Sequence, residues 1–253
     1  MVLCGPQLRG KNTRSDRNMP VPLLDMEMYP PFDGFPKSGL DFLKKLKRNN
    51  NRSWFEKHKD EYETQVKFPM QSLVGALQPH FSQFAAEYEV NPKRSIFRIY
   101  RDIRFSKDKT PYKTHIAAHF VLQGKPKGFL GSGYYMDIEP GETFAGAGLY
   151  MPDSGQLKKI RTSISQRADE FLEIVNDRKF LKLFGKLKGE TLERTPQGYN
   201  ENHPMIKWLK LKQFFVGVSW PESKCRKSSF VDDVAGVFEE ATPLVRYLNE
   251  AIK

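Results

Sequence analysis

Six cationic side chains stand in the stretch RIYRDIRFSKDKTPYK, residues 98 to 113: Arg98, Arg101, Arg104, Lys107, Lys109 and Lys113. Tyr100, Asp102 and Tyr112 are interleaved with them, and His115 follows two residues later. Arginine presents a planar fork of donors to phosphate or carboxylate, and lysine adds a mobile point charge. Asp102 can fix a neighbouring arginine through an ion pair. Such a set suits the binding of an anion, with His115 as a further contact or a proton donor. The competing reading is a solvated edge strand whose charges discourage sheet-to-sheet association. A second set lies in the loop Arg194–Pro204, where Tyr199 and His203 stand among groups that donate to oxygen. Pro196-Gln197-Gly198-Tyr199 is equally ordinary turn chemistry.

The whole chain of 253 residues carries a formal charge of +11, from 41 Lys and Arg against 30 Asp and Glu. Between Lys93 and Lys113 there are eight basic and two acidic residues, so this span holds an excess of six, more than half the total. The expected partner is therefore an anionic small molecule or nucleic acid. A membrane is not expected, because no run approaches eighteen apolar residues. The start, MVLCGPQLRG, has no apolar core of a secretory signal, and Cys4 and Cys225 are too few for a disulfide framework or a thiolate metal site. A cytoplasmic setting follows as the expectation.

No cofactor is expected, since phosphate-cradling loops, zinc-protease and calcium-loop motifs are all missing. His115 and His119 in a strand would lie about 13 Å apart, too far for one metal ion. Ser106-Lys107-Asp108-Lys109 matches a serine–lysine nucleophile motif by spacing, but without the helix start and the companion motifs of that chemistry.

The surrounding pattern predicts what positions these residues. A hydrophobic content of 39% excludes a wholly disordered chain. Residues 1 to 35, rich in Pro and Gly, read as a disordered or loosely docked extension, and 36 to 253 as one domain. Leu40, Leu43 and Leu46 mark a first amphipathic helix, ending at Asn49-Asn50-Asn51. Ser53 with Glu56 fits a capping box for a second helix, which reaches Pro69. A third helical piece runs from Met70 to Tyr88. From Ile96 to Phe105 the period is two, placing Phe97, Ile99, Ile103 and Phe105 on one face and Arg98, Tyr100, Asp102 and Arg104 on the other. A proline-closed turn at Ser106–Pro111, a strand at Lys113–Leu122 and a loop at Gly124–Gly128 follow. Gly133–Ile138 and Thr143–Tyr150 then form a hairpin. Helical periodicity returns at Ser154, residues 178 to 195 are short helix or strand, Gln213–Trp220 is a strand, and Phe230–Ile252 closes with one or two helices. Helices, then strands, then helices argue α+β around a meander-like antiparallel sheet.

Three segments together resemble a known family: Asn49-Asn50-Asn51-Arg52-Ser53-Trp54-Phe55, the run Arg101 to Lys113, and Pro196-Gln197-Gly198-Tyr199. In order and content they are similar to signatures of the bacterial and fungal DUF2461 family, over roughly residues 35 to 252. The resemblance brings no established activity, substrate or catalytic residue. Gln197 and Asn200 stand where the family pattern has Lys and Asp, which implies weaker anion binding by that loop.

Three functions remain open on the sequence. The first is a binder of a phosphate-bearing ligand or nucleic acid through the basic stretch, with Tyr100, Tyr134 or Tyr135 stacking on bases. The second is an enzyme on a small anion, using His115 or His203 with Asp102, which requires a closed pocket joining the basic turn to the Tyr199–His203 loop. The third is a structural or partner-binding protein in which Arg101 and Arg104 are buried against Asp102 and Asp108.

Overall fold

The computed structural model describes residues 29–125, 131–187 and 189–253. The first helix, α1 (Lys37–Arg48), buries Leu40, Phe42, Leu43 and Leu46 along one stripe. The three asparagines after it have separate tasks. Asn49 closes α1 by donating from Nδ2 to the Lys45 carbonyl, Asn51 caps α2 (Arg52–Lys57) by accepting from the Trp54 amide at 2.9 Å, and Asn50 reaches away to residue 112. The N-cap is therefore Asn51 and not Ser53, which lies inside the helix; the free amide that is satisfied is that of Trp54, not that of Glu56.

Helix α3 (Lys59–Tyr62) runs through a π-helical turn at Glu63–Lys67 into α4 (Phe68–Phe84), whose second residue is Pro69. Helix α4 ends at Phe84, four residues short of the expected Tyr88, because Tyr88–Glu89 turns out to be strand β1. The others are β2 (Ile116–Leu122), β3 (Gly133–Glu139), β4 (Glu142–Leu149) and β5 (Phe214–Pro221), in antiparallel order β1-β2-β3-β4-β5. The β3–β4 hairpin forms as expected, with Gly141 at φ 101° in its turn. Between β4 and β5 come α5 (Ser154–Gln166), opened by an Asp153–Gln156 capping box, α6 (Ala168–Val175), α7 (Arg178–Phe184) and α8 (Ile206–Leu209). The ambiguous span after 178 is thus helical at its start, where Asp177 caps two amides. One continuous helix, α9 (Phe230–Ala251), closes the chain. The fold is α+β.

Helices α4 and α9 cover one face of the sheet. Phe81, Phe120, Tyr134 and Phe238 meet there with ring centroids 5.0–5.7 Å apart, binding α4, β2, β3 and α9 into one core. Tyr134 is fully buried, which removes it as a stacking residue. Asn249 of α9 accepts from the Ser132 amide and donates to the Tyr88 hydroxyl, pinning the sheet edge to the last helix. Phe32 and Phe35 also enter this core, and the Phe35 amide donates to Cys225 at 2.7 Å. That part of the expected extension is fastened to the domain, while residues 1 to 28 lie outside the described residues. So does most of the loop expected at Gly124–Gly128.

Candidate functional site

Residues 96 to 113 form an irregular arm rather than the strand expected at Ile96–Phe105. Single bridges pair Ile96 with Ala118 and Tyr100 with Tyr112. Between them the chain bends at Thr114 and His115, so β2 begins at Ile116, three residues later than its alternation suggests. The bend breaks the two-residue period: Phe97 is 42% exposed while Ile99, expected beside it, is 6% exposed. Phe105 is 95% exposed at the tip and packs in no core.

The arm is anchored at its base. Tyr112 is buried and stacks on Phe55 with centroids 4.2 Å apart. Asn50 brackets the same residue, accepting from the Tyr112 amide at 3.0 Å and donating to its carbonyl at 2.9 Å. The Asn49–Phe55 signature and the arm are therefore one assembly. Tyr112 is an anchor and not a free ligand-binding hydroxyl; burial raises its pKa.

Six cations on this arm divide into two groups. Arg104 makes a bidentate pair with Asp102 at 3.0 and 2.7 Å, and Arg101 bonds Asp108 and the Thr110 hydroxyl. Asp102 is held down at about 2 by the Arg104 fork; Asp108 is also down at about 2, first through the Thr110 amide and then through Arg101. These pairs brace the tip. Arg104 is 77% exposed, so no buried ion-pair network exists here, and exposed pairs contribute little stability. Among the described residues, Arg98, Lys107, Lys109 and Lys113 have no carboxylate partner; Lys109 donates only to the Ile103 carbonyl at 2.9 Å. Lys113 lies 4.8 Å above the Phe97 ring. Burial lowers its pKa, and the nearby positive charge of Arg98 lowers it further. His115 is pushed down by burial and by Lys113, against the pull of Glu139. Arg98 and Lys113 thus converge, and among the described residues no carboxylate makes an ion pair with either, although the Arg98 charge helps hold Asp102 down.

The second predicted set lies elsewhere. His203 is held in its own loop: Nδ1 accepts from the Met205 amide at 3.1 Å, which leaves the proton on Nε2, facing the Ser165 hydroxyl at 3.0 Å. Tyr199 meets its ring edge-on. Among the described residues, no hydrogen bond, ion pair or ring contact joins Tyr199 or His203 to the arm. Two shallow hollows, of about 400 and 420 Å³, are lined by Ser38, Asp41 and Arg48 with neighbours, and by Lys179, Trp220 and Glu240 with neighbours. Neither is lined by a residue of the arm or of the Tyr199–His203 loop.

A family model described as a conserved hypothetical protein, DUF2461, matches residues 38–247. The chain belongs to the DUF2461 family. No match was found among curated proteins or among solved structures. In this DUF2461 protein the matched span contains the asparagine signature, the arm and the whole sheet. The sequence singles out none of Phe97, Phe105 and Asp137 as site residues, weighs His119 only as a metal ligand, and offers Tyr135 only as a ring for stacking. The signal that would have found Phe105 is its place between Arg104 and Lys107 at a turn.

Proposed function

We propose that this DUF2461 protein binds a phosphate-bearing ligand, best fitted by single-stranded nucleic acid, through the arm at residues 96–113. The observation that carries the reading is the convergence of Arg98 and Lys113 with no direct ion pair to a carboxylate among the described residues, while Arg101 and Arg104 each have one. Lys113 is partly withdrawn from water, and a cation so placed gains when an anion joins it. Three exposed rings, Phe97, Tyr100 and Phe105, stand on the same arm, and base–aromatic stacking combined with a basic track is how single strands are held without sequence preference. An open, projecting arm suits a long ligand better than a small one, which calls for concave walls.

The test is fluorescence anisotropy with labelled mixed-sequence DNA and RNA oligonucleotides, alongside thermal-shift measurements with inorganic phosphate and nucleotides. Binding that weakens steeply with salt and is lost in Arg98→Ala/Lys113→Ala supports the reading. Affinity unchanged between about 50 and 200 mM salt removes it.

A further inference from the structure

The face of the sheet turned away from α4 and α9 carries none of the described helices. Its residues follow the strand alternation: Ala117 and His119 on β2, Tyr135 and Asp137 on β3, Phe144 and Gly146 on β4, Gly217 on β5. Four rings make a continuous strip across it. Phe97 of the arm lies parallel to His119, with 5° between planes and 6.1 Å between centroids; Phe97 and Tyr135 are 6.3 Å apart, and so are Tyr135 and Phe144.

Glycines keep the strip low. A side-chain carbon at Gly146 would come within 2.7 Å of the Phe144 ring, and one at Gly217 within 2.3 Å, so Phe144 lies flat over both instead of standing clear. Burial keeps His119 below its usual range, a neutral ring at pH 7. The strip begins under Lys113, the cation above Phe97, and is thus continuous with the proposed phosphate contacts.

One polar group breaks the apolar character. Asp137 is half-buried on this face, two residues along β3 from Tyr135 and diagonal to Phe97 and His119. Burial raises its carboxyl to about 6; the neighbouring charges of Glu139 and Glu142 push the same way, and only the Tyr135 hydroxyl opposes them. Among the described residues no cation pairs with it. The phosphate backbone is repelled from this acidic end and attracted to Arg98 and Lys113, so a strand lying here turns its bases across the rings toward Asp137.

We infer that the open sheet face is where the bases of the single strand lie, on the strip Phe97–His119–Tyr135, with the Asp137 carboxylate accepting from an exocyclic amino group. The chemistry selects adenine and cytosine, whose exposed edges carry amino donors, over thymine, whose corresponding oxygen would face a carboxylate. This rests on the function proposed above and names the bases it prefers.

The experiment compares labelled oligo-dA, oligo-dC and oligo-dT by anisotropy at pH 7.5 on the full chain. The expectation is that dA and dC bind roughly tenfold tighter than dT, as one good base-edge contact provides. Asp137→Asn, which keeps the shape and introduces a donor, should erase that difference while leaving dT binding within about twofold, and Phe97→Ala should weaken all three. Equal affinity of the native chain for the three strands overturns the inference, and so does a preference that survives Asp137→Asn. A strong salt response without base preference sinks this inference alone; no binding by any strand sinks the arm reading with it.

Discussion

Replacing Asn50 with alanine cuts the two hydrogen bonds that hold the Tyr112 backbone, at 3.0 and 2.9 Å, and leaves a half-buried amide and carbonyl facing a gap. Each bond contributes about 1 kcal/mol net, and partly stranded backbone groups add to the loss, so about 2–3 kcal/mol is expected. For a domain of this size each kcal/mol moves Tm by roughly 2–4 °C, which gives a fall of about 4–12 °C. Because the bracket fixes residue 112 and not the core, the loss should be concentrated in the arm: limited proteolysis should cut between residues 102 and 110 much faster than in the native chain. Asn50→Asp keeps the acceptor for the amide but sets a carboxylate against the Tyr112 carbonyl, and should be at least as damaging. Calorimetry on the three proteins at pH 7 decides it. An Asn50→Ala Tm within about 1 °C of native, with unchanged cleavage, would refute the view that the asparagine signature exists to seat the arm.

Three further outcomes follow from the same geometry. Asp137 has a folded pKa raised to about 6, so its charged form is disfavoured in the fold; stability is lost as the pH rises from about 4 to 6, and Asp137→Asn should be more stable than native at pH 7.5 by on the order of 2 kcal/mol and lose that advantage as the pH falls below about 4. Asp102 and Asp108 show the opposite sign: their depressed values mean that the bracing of the tip, present above about pH 4, is lost only as the pH falls towards 2, and NMR shifts of residues 101–110 should stay constant from pH 7 to 5. Gly217→Ala places a carbon 2.3 Å from the Phe144 ring and 2.8 Å from the Ala145 carbonyl, and thermal unfolding should show a cost of about 1–3 kcal/mol.

The α+β class, the first helix and the β3–β4 hairpin could be read from periodicity because each depends on local patterns: a leucine stripe, an alternating pair of runs and a Pro-Gly turn. The arm could not. Its alternation from Ile96 to Phe105 is genuine in the sequence, but the bend at Thr114–His115 interrupts pairing with β2, and the apolar Phe105 ends at the tip in solvent. The six arm cations were legible as a cluster, whereas their division into braced and unpaired members depends on which carboxylate each one reaches in space. Ser53 has the spacing to Glu56 that a capping box needs, but Asn51 satisfies the helix start two residues earlier. Joining His203 to the arm failed for a different reason: the loop and the basic stretch are each rich in donors, but the loop is fastened to α5 through Ser165. Asp137 reads as an ordinary strand residue, and only the sheet shows that it lies beside Tyr135 on the face that carries none of the described helices.

The central claim is that Arg98, Lys107, Lys109 and Lys113 are available to phosphate while Arg101 and Arg104 are not. The slope of log K against log salt for a single-stranded oligonucleotide measures this directly, since each neutralised phosphate contributes about −0.7. Four available cations predict a slope of about −3, falling to about −1.4 in Arg98→Ala/Lys113→Ala and changing little in Arg104→Ala. A slope near zero, or one that Arg104→Ala flattens as much as the double variant does, would contradict it.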